Sequence, residues 1–87
     1  MASWEFYKRG GWKPIPPFEN SFLEEQYLVG VETCGMHIDM TRGEKYEWEF
    51  PELRQLRKHF FNGAWRVVKT RSIRRIVLWA APAQPRG

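Results

Sequence analysis

The sequence predicts an α+β domain in which an antiparallel sheet of about six strands is covered by a single helix. Three observations lead there. Apolar and polar residues alternate over short runs, as where Tyr46, Trp48 and Phe50 face one way and Lys45, Glu47 and Glu49 the other, the period of a half-buried strand. Glycine-bearing turns separate these runs, and only one stretch, residues 18–30, carries helical spacing. Finally, 87 residues cannot enclose two cores, and an aromatic content of 16% lets a few large rings supply the area that one small core must bury.

The first element is a hairpin. The stretch "SWEFYK" is aromatic and extended, Gly10-Gly11 supplies the positive φ of a tight turn, and "WKPI" starts the return strand. Pro14, Pro16 and Pro17 cannot donate to a ladder, so the chain must leave the sheet there. "FENSFLEEQYLVG" follows as the helix. Ser21 and Glu24 have capping-box spacing, Phe22, Leu23 and Tyr27 line one face, and Gly30 ends it. Then "VETCGMHIDM" and "EKYEWEF" form strands joined by "TRGE", with Gly43 at the turn. After Pro51, "ELRQLRKHFFNGAWRVVKT" is a hairpin around Asn62-Gly63, and a break near Arg71-Ser72 precedes a last strand, "IRRIVLW". One domain over residues 1–80 is expected, with "APAQPRG", residues 81–87, as a disordered tail.

Cys34 is the only cysteine, so no intrachain disulfide can form, and a chain this small in an oxidising compartment is usually stapled. The N-terminal stretch shows no charged region followed by an apolar run, and nothing approaches the roughly 18 apolar residues of a membrane span. An intracellular, soluble protein of nucleus or cytoplasm is expected, with no membrane partner. Charge is divided unevenly. Up to Glu52 the chain holds all ten acids and five basic residues, a net of −5, whereas from Leu53 onward nine Arg and Lys and no acid give +9. The basic half therefore meets either the acidic half or an anion from outside.

Catalytic constellations are absent. His37 and His59 are the only histidines, and Cys34 with His37 offers two metal ligands where a structural zinc needs four. Cys34 as a nucleophile is formally available, but a lone cysteine in a strand is more often a small buried hydrophobe. Prolines stand before the helix where a phosphate-binding loop would need glycines. No enzyme activity and no cofactor is expected. In "AWRVVKT", Trp65, Val67 and Lys69 alternate with Arg66 and Val68, and strands that interleave rings and cations can stack a base and bind its phosphates. A nucleotide and a single strand of RNA both fit that pattern, and either Trp48 or Trp65 could close such a pocket.

Trp4, Trp12 eight residues later, and Glu24 in "FLEEQY" resemble the two tryptophans and the glutamate that name the WWE domain, a module of ubiquitin ligases and ADP-ribosyltransferases. The resemblance continues through "GGWKP", "EKYEWEFPELRQL" and "NGAWRVVKTR", covering about residues 3 to 75. It implies a half-barrel sheet around one helix and a pocket for poly(ADP-ribose), through its iso-ADP-ribose unit, or for terminal ADP-ribose. It further implies that Tyr46 and Arg66 contact phosphate and that Gln55 hydrogen-bonds adenine. Phe6 stands where the best-known binders have Tyr, losing a hydroxyl donor, and Lys13 stands where some members have a second aromatic. A basic residue from the last strand, Arg74 or Arg75, is implied to reach the ligand.

These residue types suit the chemistry. Arg66 offers bidentate donors to a pyrophosphate, Tyr46 a directional hydroxyl, and Gln55 both a donor and an acceptor for adenine N6 and a ring nitrogen. Read without the family, Tyr46 is a core ring with a wet tip, Gln55 a solvated strand residue, and Arg66 a partner of Glu47 or Glu49. Trp4, Trp12 and Glu24 are assigned to the scaffold, the rings to the core and Glu24 to the helix cap. The expected function is recognition of poly(ADP-ribose) or ADP-ribosylated proteins on behalf of a parent ubiquitin ligase or ADP-ribosyltransferase. A protein-interaction module with a decayed pocket and a single-stranded RNA binder are the alternatives.

Overall fold

The structure, a computed structural model, describes residues 2–77 and, within them, every side chain except those of His37 and Ile38. The elements run β1 (Ala2–Lys8), β2 (Gly11–Pro14), α1 (Pro17–Leu28), β3 (Thr33–Asp39), β4 (Glu44–Glu49), β5 (Arg54–Phe61) and β6 (Ala64–Val77). Neighbouring strands pair antiparallel in the order β2-β1-β6-β5-β4-β3, giving an open sheet with one helix, as the patterning indicates. The last strand returns to the first, with Ala2 opposite Val77 and Trp4 opposite Arg75. The expected tail, residues 81–87, lies outside the described residues.

Two hairpins show how turn chemistry sets register. Asn62 and Gly63 both have positive φ, 50° and 76°, the pair of left-handed residues that a two-residue primed turn needs between twisted strands. The first hairpin turns one residue earlier than its Gly-Gly suggests. Arg9 (φ 52°) and Gly10 (φ 81°) make the turn, and Gly11 already belongs to β2 opposite Lys8. Trp12 is therefore paired with Tyr7, three positions from Trp4 and so on the other face of β1. That corrects its assignment to the core: Trp12 packs edge-on against Tyr7 (centroids 5.4 Å apart) beneath the Arg74 guanidinium, 4.3 Å from the ring.

The helix also departs from expectation. It begins at Pro17, preceded by Pro16 in extended geometry with no side-chain cap. Proline suits the first helical position because its missing N–H would have no partner there. Ser21 and Glu24 are thus interior, and no capping box forms. At the other end Gly30 does close the helix, its N–H donating to the Tyr27 carbonyl over 3.1 Å. In place of a break near Arg71-Ser72, β6 runs unbroken for 14 residues. The irregularity comes earlier, as a bulge that sets Lys58 opposite Val67 but Arg57 opposite Lys69. Adjacent β5 residues face opposite ways, so Lys69 does not share a face with Val67 and Trp65.

Trp4, Ile15, Leu23, Trp48, Phe50 and Ile73 form the buried core between sheet and helix. Trp4 is wholly enclosed, with Tyr27 and Phe50 rings at 5.4 and 5.3 Å. Its indole N–H needs an acceptor there, and Glu24 Oε1 takes it at 3.0 Å. The same carboxylate receives two donors from Arg75, Nε at 2.9 Å and Nη2 at 2.6 Å. Glu24 therefore joins β1, α1 and β6 rather than capping a helix. Asn20 adds a second tie: its Oδ1 accepts the Trp4 backbone N–H at 2.6 Å and its Nδ2 donates to the Ala2 carbonyl.

Arg75 beside it holds the Glu24 carboxyl below the usual carboxylate range, with the Trp4 bond assisting against burial. A carboxylate with a depressed folded pKa contributes stability that is complete above its unfolded value and fades as pH falls through the folded one. Glu24→Ala should cost about 2–3 kcal/mol in urea unfolding at pH 7, because it orphans a buried N–H and an arginine, while Glu24→Gln, which keeps an acceptor, should cost about 1. The gap between wild type and Glu24→Gln should narrow below about pH 4. Equal stability of Glu24→Ala and wild type at pH 7 would contradict this role.

Candidate functional site

Helix α1 packs on β1 and β3, and between its first turn and strands β4 to β6 a cleft of about 380 Å³ opens. Strand register dictates what faces it. Trp48, Gln55 and Arg71 stand side by side across β4, β5 and β6, and Tyr46, Arg57 and Lys69 form the next row. Phe6 and Lys8 of β1 complete one wall, and Ile15, Pro16 and Glu19 at the entry to α1 complete the other. The double proline thus serves the site as well as the fold, since it carries the chain off the sheet at the mouth of the cleft.

One end of the cleft is aromatic. Tyr46 and Trp48 lie nearly parallel, at 21° with centroids 6.5 Å apart, and Phe6 packs against the same core. The Trp48 ring is buried, and its indole N–H donates to Gln55 Oε1 over 2.8 Å. That bond fixes which way the Gln55 amide faces, while its oxygen keeps a second lone pair. Its oxygen is engaged by the indole, and its amide nitrogen is the group left without a bond among the described residues.

The other character of the cleft is cationic. Most of the C-terminal cations meet the acidic half of the chain: Arg54 pairs with Glu49, Arg57 with Glu44, Lys58 with Glu47 at 2.7 Å, Arg74 with Glu5 at 2.7 Å and Arg75 with Glu24 at 2.6 Å. Arg57 beside it, with His59 at 2.7 Å, holds the Glu44 carboxyl below its ordinary range, and Glu44 in turn raises Arg57. Burial pushes the Glu47 carboxyl up, but Lys58 and Lys45 outweigh it and leave it lowered. Lys8, Lys69 and Arg71 have no carboxylate partner among the described residues, and all three line the cleft. Arg71 lies over the Phe6 ring at 5.6 Å. Lys69 and Arg71 of the basic half are thus joined by Lys8 of the acidic half beside an aromatic wall, with Glu19 at the same cleft and Arg66 outside it.

Of the seven residues singled out in the sequence, Phe6, Tyr46 and Gln55 line this cleft, and Lys13, Arg66, Arg74 and Arg75 do not. Lys13 is exposed on the edge strand opposite Phe6. Arg66 lies opposite His59, two pairs beyond the Arg57–Lys69 row, and is not the partner of Glu47 or Glu49, which take lysines and Arg54. Arg74 is on the outer face with Glu5 and Trp12, and Arg75 is committed to Glu24 and stacked on Tyr27 at 4.7 Å. Trp48 lines the cleft, whereas Trp65 packs with Phe60 and Lys45 elsewhere. Lys8, Lys69 and Arg71 were missed. Strand parity would have found Lys8 from Phe6, but Lys69 is displaced by a bulge that no residue type announces.

Among the described residues no three His, Cys, Asp or Glu side chains converge as a metal site, and no helix is long and apolar enough to cross a membrane. Cys34 packs half-buried against the core, and burial pushes its thiol up to about 11. The model of the WWE domain family matches residues 2–75, almost the whole described fold. No curated protein matches the sequence.

A thiol with that pKa holds roughly one part in 3,000 as thiolate at pH 7.5. Iodoacetamide should therefore label Cys34 in the folded protein at least about tenfold more slowly than in urea at the same pH. Equal rates would show an exposed thiol with an ordinary pKa instead.

Proposed function

The chain belongs to the WWE domain family, whose members are known ADP-ribose-binding modules and typically noncatalytic, and from that premise we propose that this domain reads ADP-ribose units on modified proteins. The observation that carries the reading is the coincidence, in one cleft, of three cations without carboxylate partners among the described residues and an aromatic and amide wall. A nucleoside diphosphate needs both. The diphosphate carries about two negative charges and favours charge-assisted donors, for which Arg71 has the planar geometry and Lys8 and Lys69 the reach. The base requires a flat apolar surface, available at Phe6, Tyr46 and Trp48, and a hydrogen-bonding edge, available at Gln55. Tyr46 adds a hydroxyl near both.

The role of the domain is then to bring a larger ubiquitin ligase or ADP-ribosyltransferase to ADP-ribosylated targets, with iso-ADP-ribose or terminal ADP-ribose as the unit recognised. The domain over residues 1–80 supplies affinity, and the parent protein supplies chemistry. An intracellular setting, in nucleus or cytoplasm, goes with that ligand. Phe6 in place of a tyrosine removes one hydroxyl donor but keeps the ring, and Arg71 lying over it compensates by holding a stronger donor at the same wall.

Calorimetric titration with iso-ADP-ribose, ADP-ribose and ATP tests the proposal. At least one should bind, and heat from none of them up to about millimolar concentration would overturn it. Arg71→Ala should weaken the binding by about 1.5–3 kcal/mol, the usual worth of a hydrogen bond to a charged group, and Arg66→Ala by less than about 0.7. The reverse order would move the phosphate site to the outer end of the β5–β6 hairpin.

A further inference from the structure

Resting on the reading of the cleft as an ADP-ribose site, we infer that the first hairpin carries a second anion site beside it, formed by Lys13 and Arg9 next to Lys8, which holds a phosphate of the neighbouring unit when the ligand is a polymer. Antiparallel pairing sets Phe6 opposite Lys13 and Lys8 opposite Gly11, so these four residues share one face. Phe6 and Lys8 line the cleft, and the face that holds Lys13 and Gly11 continues the cleft wall outward over the edge strand. Gly11 has no side chain to interrupt it. A Cβ at that position would stand 3.8 Å from Lys13 Nζ, so the Lys13 ammonium reaches back across Gly11 toward the strand position of Lys8. Arg9 follows in the turn and is exposed, as Lys13 is.

This shelf has no counter-charge of its own. From Lys8 to Phe18 the sequence holds three cations and no acid. Of the acids on either side, Glu5 is on the opposite face with Arg74, and Glu19 stands on the α1 wall of the cleft. Cations of one sign gathered on a face repel one another, and an anion laid among them relieves that repulsion. The other way out of the cleft, toward the end of the β5–β6 hairpin, differs: there Arg66 shares its row with His59 and Glu44, so a carboxylate already accompanies the cations. Each further unit of an ADP-ribose polymer adds a diphosphate, and the chain that continues from a unit seated in the cleft gains most by crossing the first hairpin. Lysine suits such a phosphate, because it is a point charge on a flexible stem and does not demand the fixed planar geometry that arginine does. An ammonium at position 13 thus gives up a stacking surface and gains a contact beyond the cleft.

The test compares single units with a chain. Calorimetry on the whole chain at about 50 mM salt measures iso-ADP-ribose, ADP-ribose and the ADP-ribose dimer, which has a single internal linkage and a single terminus and so carries no statistical advantage. The dimer should bind at least about fivefold more tightly than the better single unit, and the advantage should shrink as salt is raised. Arg9→Gln combined with Lys13→Gln, checked for folding by circular dichroism, should bring the dimer within about twofold of the single unit and leave the single unit within about twofold of wild type. Lys13→Arg should keep most of the advantage and Arg66→Gln all of it. Equal affinity for dimer and single unit in the wild type overturns the inference, as does an advantage that survives the double variant or is lost in Arg66→Gln. A double variant that weakens the single unit as much as the dimer places Lys13 and Arg9 in the cleft itself and overturns it too. An oligoadenylate with the same number of phosphates should bind at least about fivefold more weakly than the dimer, and equal binding that the double variant removes would make the hairpin an RNA surface instead. Absence of binding by all three ADP-ribose ligands defeats the functional reading and this inference with it.

Discussion

A single buried indole N–H organises this small domain. Trp4 is wholly enclosed, and a hydrogen-bond donor so enclosed costs about 1–3 kcal/mol if it finds no acceptor. The acceptor is Glu24, a carboxylate, which then requires a counter-charge of its own, and Arg75 supplies it in bidentate form from the strand beside Trp4. Three residues from the beginning, middle and end of the described chain are thereby bound to one another. The helix cannot slide or turn over on the sheet without breaking both contacts, and the rings of Tyr27 and Phe50 close around the same point.

Fixing the helix there leaves part of the sheet uncovered. The inner face of β4, β5 and β6 beside the first turn of α1 becomes the cleft, and its rows are set by ladder pairing rather than by loops. Ion pairing then sorts the cations. Five from the basic half are compensated by acids of the other half, and among the described residues Lys69 and Arg71 remain without such a partner at the cleft, where Lys8 of the acidic half joins them. The charge asymmetry in the sequence is in this way mostly internal, with part of the remaining positive charge directed at the cleft. That combination of cations and rings is what the proposed ADP-ribose site rests on.

Much of the architecture was legible because it follows from local chemistry. Asn62-Gly63 specifies its turn, the alternation of Tyr46, Trp48 and Phe50 specifies which face is dry, and Gly30 specifies where the helix stops. What was hidden depends on long-range pairing. Trp12 lies outside because its partner is Tyr7, at odd separation from Trp4, and a turn at Gly10-Gly11, pairing it with Arg9, would leave it on that same face; register and not residue type decides. Glu24 looked like a cap because its spacing from Ser21 is right, but two prolines start the helix a turn earlier. In the cleft, Phe6, Tyr46 and Gln55 were reached through resemblance, and the cations were not, because the bulge in β6 shifts Lys69 to the inner face while Arg66, nearer the turn, does not line the cleft. The engagement of Gln55 by Trp48 was likewise invisible, as it needs two strands in register.

Three tryptophans thus serve three different ends. Trp4 holds the scaffold, Trp12 covers the outer face, and Trp48 lines the cleft. Nitrogen-edited NMR spectra of the labelled domain with and without saturating iso-ADP-ribose or ADP-ribose separate these directly, through the indole N–H signals and the side-chain amide of Gln55. The Trp48 and Gln55 signals should shift on binding, and those of Trp4 and Trp12 should stay in place. Movement of the Trp4 or Trp12 indole with Trp48 and Gln55 unchanged would contradict the placement of the site.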